Sequence, residues 1–254
     1  MQSAVTGLAV LKMLATMGGG ASLSRLAGEL QESPAKVHRY LASLVAADFV
    51  RQEGAGGHYV LGTESIAIGL AAMRQSDVLT LAGEELAKLA EDHQLSCCLA
   101  VLGNYGPTIV RWHEPVLLVS VNARVGSVLP VLWSATGRAF GAFSGVAALR
   151  KLIDAELATS TPKQRSQLPN RKAVEALFEQ IRSLRCAPLR DVLLEGVSAV
   201  ACPIFNASGA VAAVITALGP SGGFDPTPGG SEALLVMRAA DSLSAKLGYP
   251  APAK

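Results

Sequence analysis

Apolar positions in the first sixty residues fall at helical spacing three times and then alternate as in strands. Leu8, Leu11, Leu14 and Ala15 recur on one helical face, and Gly18-Gly19-Gly20 ends that helix because no helix continues through such a run. Ser22 or Ser24 can cap a short second helix that carries Leu23, Leu26, Ala27 and Leu30 and stops around Gln31. Ser33-Pro34 is the sharpest start signal: a serine that accepts from orphan N–H groups, then a proline where the first turn needs no donor. In the third helix Val37, Leu41 and Leu44 form the buried stripe, while Lys36, Arg39 and Ser43 lie away from it. Residues 49–53 and 58–61 flank Gly54-Ala55-Gly56-Gly57, which reads as a hairpin with a glycine-rich tip. Three helices and a hairpin predict a winged helix-turn-helix domain over residues 1–62.

Ile66, Leu70 and Met73 keep helical spacing over 63–73, so residues 63–76 read as a linker helix. A helix over 77–93 follows, with Leu79, Leu86, Leu89 and Ala90 on one face. Strand-like runs at 96–102, 108–113 and 117–122 are separated by a Gly103-Asn104-Tyr105-Gly106-Pro107 turn and a short break. Helices are expected at 134–143, 147–157 and 171–184, with 159–170 a polar connection containing Pro162 and Pro169. A second hairpin, 197–205 with 210–218 across Asn206-Ala207-Ser208-Gly209, precedes a closing helix at 231–247. The expected fold class is α+β, with residues 77–254 forming an antiparallel-sheet domain.

Composition narrows the class of protein. Half of the 254 residues are hydrophobic and 17% are charged, as in a folded chain. No apolar run reaches the roughly 20 residues that span a bilayer, and residues 1–15 lack a signal-peptide pattern, which leads to an expectation of no membrane partner and a cytoplasmic location. Cys97, Cys98, Cys186 and Cys202 have no C-x-x-C spacing and no histidine at ligand distance along the chain, so neither a metal, a disulfide nor a cofactor is implied. Phosphate-binding, dinucleotide, nucleophile-elbow and zinc-protease motifs are missing, and the chain reads as a non-enzyme. A Cys/His hydrolase would have to use His93, His113, Cys97 and Cys98, but the two histidines are placed as polar terminators of a helix and a strand.

A net charge of +2 is too mild to mark a nucleic-acid binder, so position has to carry the argument. The second helix of a helix-turn-helix enters the major groove by its N-terminal end, which places Ser33, Ala35, Lys36, His38 and Arg39 at base edges or phosphates. Ser22, Ser24 and Arg25 would hold the backbone, and Arg51 and His58 would flank the wing. So little charge per domain calls for pairing, hence a homodimer or dimer of dimers on a near-palindromic double-stranded DNA operator. The alternative is a winged helix that contacts protein.

Leu23-Ser24-Arg25-Leu26-Ala27, the stretch from Ser33 to Leu41, and His58-Tyr59-Val60-Leu61-Gly62 resemble the N-terminal domain of IclR-type transcription regulators. Leu129-Pro130, Ala135-Thr136-Gly137-Arg138-Ala139, Gly196-Val197, Ala201-Cys202-Pro203-Ile204-Phe205, Gly209 and Gly219-Pro220 are similar to blocks of the same family, so the resemblance spans nearly the whole chain. It implies a GAF-like effector domain at 77–254 that recognises a small carboxylate without turning it over. Mapped onto matching positions, the effector would meet Leu129, Thr136, Gly137, Arg138 and Thr216. Ala199 and Leu218 stand where small-acid sensors of the family carry cysteine and serine, and Val192 replaces an acidic residue, with Asp191 beside it. Fewer polar partners, with Trp133 expected near the mouth, point to a larger organic acid, aromatic in character.

Overall fold

The computed structural model describes residues 2–17, 20–53, 57–74, 77–115 and 123–249. The chain divides into two compact units, Met1–Gln75 and Ser76–Lys254.

In the first unit α1 (Gln2–Thr16), α2 (Leu23–Leu30) and α3 (Pro34–Ala46) precede the antiparallel pair β1 (Val50–Glu53) and β2 (His58–Leu61), and α4 (Thr63–Arg74) follows. Caps set the boundaries. The Ser22 side chain accepts from Arg25 N at 3.3 Å, and that of Ser33 accepts from Lys36 N at 3.3 Å with Pro34 in the first turn. Gln31 ends α2 in a left-handed conformation, and its N–H donates to carbonyls of the last turn. Val10, Leu14, Leu26, Val37, Leu41, Val50 and Tyr59 share one core. The buried stripe of α1 therefore runs through Val10 and Leu14; Leu8, expected on it, is 57% exposed, and Ala15 is exposed as well. Tyr59 and Ala21 exchange backbone hydrogen bonds, which ties the start of the helix pair to the hairpin. The tip residues 54–56 lie outside the described residues.

The second unit begins with α5 (Asp77–His93), β3 (Ser96–Gly103) and β4 (Gly106–His113). It continues with α6 (Ala135–Phe143), α7 (Val146–Ala158), α8 (Pro162–Gln167), α9 (Arg171–Leu184) and β5 (Ala187–Arg190). It closes with β6 (Val197–Phe205), β7 (Val211–Pro220) and α10 (Ser231–Lys246). All strand pairs are antiparallel, in the order β4-β3-β7-β6-β5. The α+β class stands, with two additions. The 159–170 connection contains α8, which Thr161 and Gln164 close with a capping box, and β5 forms an edge too short to be read from periodicity. The strand expected at 117–122 lies outside the described residues.

Strand pleating sorts the side chains onto two faces. Leu99, Val200, Cys202, Ile215 and Ala217 face one side, where α5 packs on β3 and β4 and α10 on β6 and β7. Ala100, Ala187, Ala201 and Val214 face the other, which α6 covers with α9 behind it. Small residues on this second face let α6 approach β6 and β7 closely. Toward one end of the same face the covering stops and a cavity opens.

Candidate nucleic-acid interface and ligand cavity

Capping places the N-terminal turn of α3 at the surface of the first unit, with Ser33, Ala35, His38 and Arg39 exposed and Lys36 half-buried. Ser24 and Arg25 are exposed on the first turn of α2, and Arg51 and His58 are exposed on the two hairpin strands. The Ser22 hydroxyl is engaged twice, by Arg25 N and by Ser24 Oγ at 3.1 Å. Lys36 Nζ lies 2.6 Å from Glu32 Oε1, and Arg51 lies 2.7 Å from Glu53. Such exposed pairs are worth about 0.2–1 kcal/mol and yield readily to a phosphate. Among the described residues Arg25 and Arg39 have no acidic partner, so each can meet a polyanion at no electrostatic cost.

The cavity of the second unit is open at its mouth and spans about 520 Å³ of empty space, part of which is bulk solvent. Its floor is three rows of strand residues: Leu189, Ala199 and Leu218; Thr216, Cys98 and Trp112; and Ile109. A β-bulge in the β3–β4 pairing, where Leu99 faces Arg111 and Ala100 faces Ile109, turns both Ile109 and Trp112 toward the cavity. Leu193 and Leu194 line the rim from a loop in which Asp191 Oδ1 accepts from Gly196 N at 2.9 Å and Ser221 Oγ at 2.7 Å. Ser134, Ala135 and Thr136, the start of α6, close the remaining side.

No charged side chain lines this space among the described residues. Its polarity comes from a few neutral groups. Thr136 Oγ1 and Thr216 Oγ1 are 2.8 Å apart, both buried, and either hydroxyl can donate to the other. Ser134 Oγ donates to Pro130 O and accepts from Gly137 N, which leaves the Ala135 and Thr136 N–H groups without an intrahelical acceptor. Burial pushes the Cys98 thiol up to about 12, against the pull of its hydrogen bond with Thr216, so Cys98 is a neutral wall group. Cys97 points to the opposite side, donates to Leu86 O at 3.2 Å, and is likewise pushed up to about 12, chiefly by burial.

Five of the residues expected at the effector (Leu129, Thr136, Ala199, Thr216 and Leu218) border the cavity together. Trp133 does not. It is 5% exposed within the hydrophobic core, because the turn leading into α6 aims it inward, and the tryptophan at the cavity is Trp112. Gly137 is absent from the wall too: its N–H is taken by Ser134, and a Cβ there would collide with Pro130 O and the Val131 backbone. Arg138 folds back along its own helix, donates through Nε to Leu132 O at 2.7 Å, and is 92% buried away from the cavity, with burial pulling its pKa down to about 10. Sequence reasoning missed Trp112, Cys98, Ile109 and Leu189. The first three lie on strands it did delineate, where the period-2 alternation marks Cys98 as facing the same way as Ala100.

Glu156 on α7 holds the wall segment in place. Its carboxylate accepts from Val131 N at 2.6 Å and Leu132 N at 2.8 Å, so the turn before α6 is gripped by Glu156 at its N–H groups and by Arg138 at a carbonyl. Burial raises the Glu156 carboxyl above the usual range, and the two N–H donors oppose the rise.

A winged helix-turn-helix joined in one chain to an α+β unit with a neutral, largely apolar cavity defines a ligand-responsive transcription regulator. Residues 3–54 match the IclR helix-turn-helix domain, and residues 70–245 match the domain described as bacterial transcriptional regulator IclR C-terminal. The chain belongs to the IclR family. It is 26% identical over 252 residues to the HTH-type transcriptional repressor AllR of Salmonella typhimurium, covering 99% of this chain and 92% of that one. Among solved structures, Pseudomonas aeruginosa HmgR is 38% identical, with 99% and 100% of the two chains covered and a TM-score of 0.63. An IclR homologue from Microbacterium hydrocarbonoxydans, complexed with 4-hydroxybenzoate, shares the fold at 20% identity, with 96% and 98% covered and a TM-score of 0.72.

Proposed function

We propose that residues 1–62 bind a near-palindromic operator as a homodimer or dimer of dimers, and that a small aromatic acid seated in the cavity of residues 77–254 sets the affinity for DNA. Residues 63–76 serve as the linker. The observation that carries the effector class is the lining itself: an apolar space with hydroxyls and free helix N–H groups at one end and, among the described residues, no cation on its wall. A carboxylate docks at the N-terminus of α6, where the Ala135 and Thr136 N–H groups and the helix dipole favour negative charge. The rest of the ligand must then be largely apolar and flat, to fill the space between Ile109, Leu189 and Trp112. That the Microbacterium homologue holds 4-hydroxybenzoate agrees with this reading.

Pairing is supported by apolar residues that the first unit leaves uncovered: Val5 and Leu8 on α1 and Ile66, Ile68 and Leu70 on α4 are all exposed. Chemistry on the ligand is not part of the proposal. Neither thiol of the Cys97-Cys98 pair is a thiolate at neutral pH, so the nucleophile a hydrolase needs is missing from that pair. A regulator that acts on chromosomal DNA works in the cytoplasm, where the four free cysteines stay reduced.

A thermal-shift screen of small carboxylates tests the effector class. Aromatic acids are expected to stabilise the protein, by about 2.7 kcal/mol at a hundred times the Kd. Stabilisation by two- and three-carbon acids, with none from aromatic acids, would sink the proposal.

A further inference from the structure

Trp112 carries a feature that packing does not explain. Its ring lines the cavity, yet Nε1 is shielded from solvent and has no acceptor, which is true of no other buried side-chain nitrogen or oxygen among the described residues. An indole N–H can only donate, and native interiors seldom keep a buried donor unpaired without a use for it. Phenylalanine would fill most of the same space on β4 and bring no orphan donor. Of the neutral groups closest in the sheet, Thr216 already shares a hydrogen bond with Thr136.

We propose that Trp112 reads an oxygen carried on the ring of the effector, accepting ligands whose ring bears a hydroxyl or keto group over those with a bare ring. The proposal rests on the reading of the cavity as an aromatic-acid site. Trp112 lies opposite Cys98, and Cys98 lies opposite Thr216, so two strand spacings, about 9.6 Å, separate the Trp112 and Thr216 backbones. One benzene ring with an oxygen at each end fits that interval: the carboxylate meets the α6 N-terminus beside Thr136 and Thr216, and the opposite oxygen meets the indole edge once the ring turns to bring the shielded Nε1 to the cavity. The bulge that turns Trp112 inward makes this possible, since without the extra residue on β4 Ile109 and Trp112 would face opposite sides.

The test compares benzoate with 4-hydroxybenzoate by isothermal titration on the full-length wild type and on Trp112→Phe. In the wild type the hydroxylated acid binds about tenfold tighter, the worth of one neutral hydrogen bond in a dry site. Trp112→Phe keeps benzoate affinity within about twofold and abolishes the preference. Equal weakening of both acids by Trp112→Phe would assign the ring a packing role only and overturn the proposal, as would a preference that survives the change. If both acids bind the wild type equally, this inference fails and the cavity reading stands; if neither binds, the cavity reading fails and takes this inference with it. Should Trp112→Phe not fold, ¹⁵N-labelled wild type decides. The chain has two tryptophans, and the Trp112 indole N–H resonance, assigned with Trp133→Phe, moves downfield with 4-hydroxybenzoate and not with benzoate. An unmoved resonance at saturating 4-hydroxybenzoate would refute the contact.

Discussion

Removing the Glu156 carboxylate should loosen the cavity wall, and the size of the effect follows from its geometry. Two charge-assisted hydrogen bonds, at 2.6 and 2.8 Å, end on N–H groups of residues that are 1% and 0% exposed. Each such bond contributes about 1.5–3 kcal/mol. Glu156 is itself half-buried, so in Glu156→Ala water can enter the vacated space and recover part of that, leaving a loss of about 2–4 kcal/mol. For a unit of this size the expected fall in Tm is about 5–15 °C. Glu156→Gln keeps one acceptor oxygen and turns an amide NH₂ toward the second N–H, so it should fall between the wild type and Glu156→Ala. Circular dichroism melts of the full-length proteins read the series. The pH dependence has a definite sign: because burial raises the folded-state pKa of Glu156, its protonation favours the folded state. That contribution is fully present below the unfolded pKa and is lost as pH rises through the folded value. The stability gap between wild type and Glu156→Gln should therefore narrow from acid toward neutral pH. Melts of Glu156→Ala within 2 °C of wild type, taken as about 1 kcal/mol or less, would show that the grip on Val131 and Leu132 contributes nothing.

Arg39→Ala should weaken operator binding about tenfold or more and, if Arg39 meets phosphate, flatten the slope of log K against log salt by about 1.8 for the two copies in a dimer; anisotropy at three salt concentrations measures both. Glu32→Gln should strengthen binding modestly, because it frees Lys36 from its 2.6 Å partner. Gly141→Ala drives a Cβ into the ring of Phe178, which is 1% exposed, and should cost about 1–3 kcal/mol in thermal melts, with Phe178→Leu restoring part of the loss.

Local signals carried most of the architecture. Ser33-Pro34 announced α3 because a cap and a first-turn proline act within four residues, and Asn206 to Gly209 announced the β6–β7 turn for the same reason. The capping box of α8 is equally local: Thr161-Pro162-Lys163-Gln164 writes it out, although Pro162 and Pro169 also suit an irregular connection. The site was legible where neighbouring positions share a strand face, as with Thr216 and Leu218, or begin a helix, as with Thr136. It was not legible where direction is set at long range. Which tryptophan meets the cavity depends on Glu156, 24 residues beyond Leu132, gripping the turn that buries Trp133, and on a bulge that no periodicity reveals. Arg138 reads as a cation beside a helix N-terminus until the structure turns it back onto Leu132.

Coupling of the cavity to the winged helix through an aromatic acid is read out by fluorescence anisotropy of a labelled fragment from the region upstream of the protein's own coding sequence, with 4-hydroxybenzoate titrated across the range over which it stabilises the protein to heat. The Kd for DNA should change by about 5- to 150-fold and level off as the acid saturates, the range of ordinary coupling between two sites. An unchanged Kd at saturating acid would show that the acid does not couple the cavity to the winged helix.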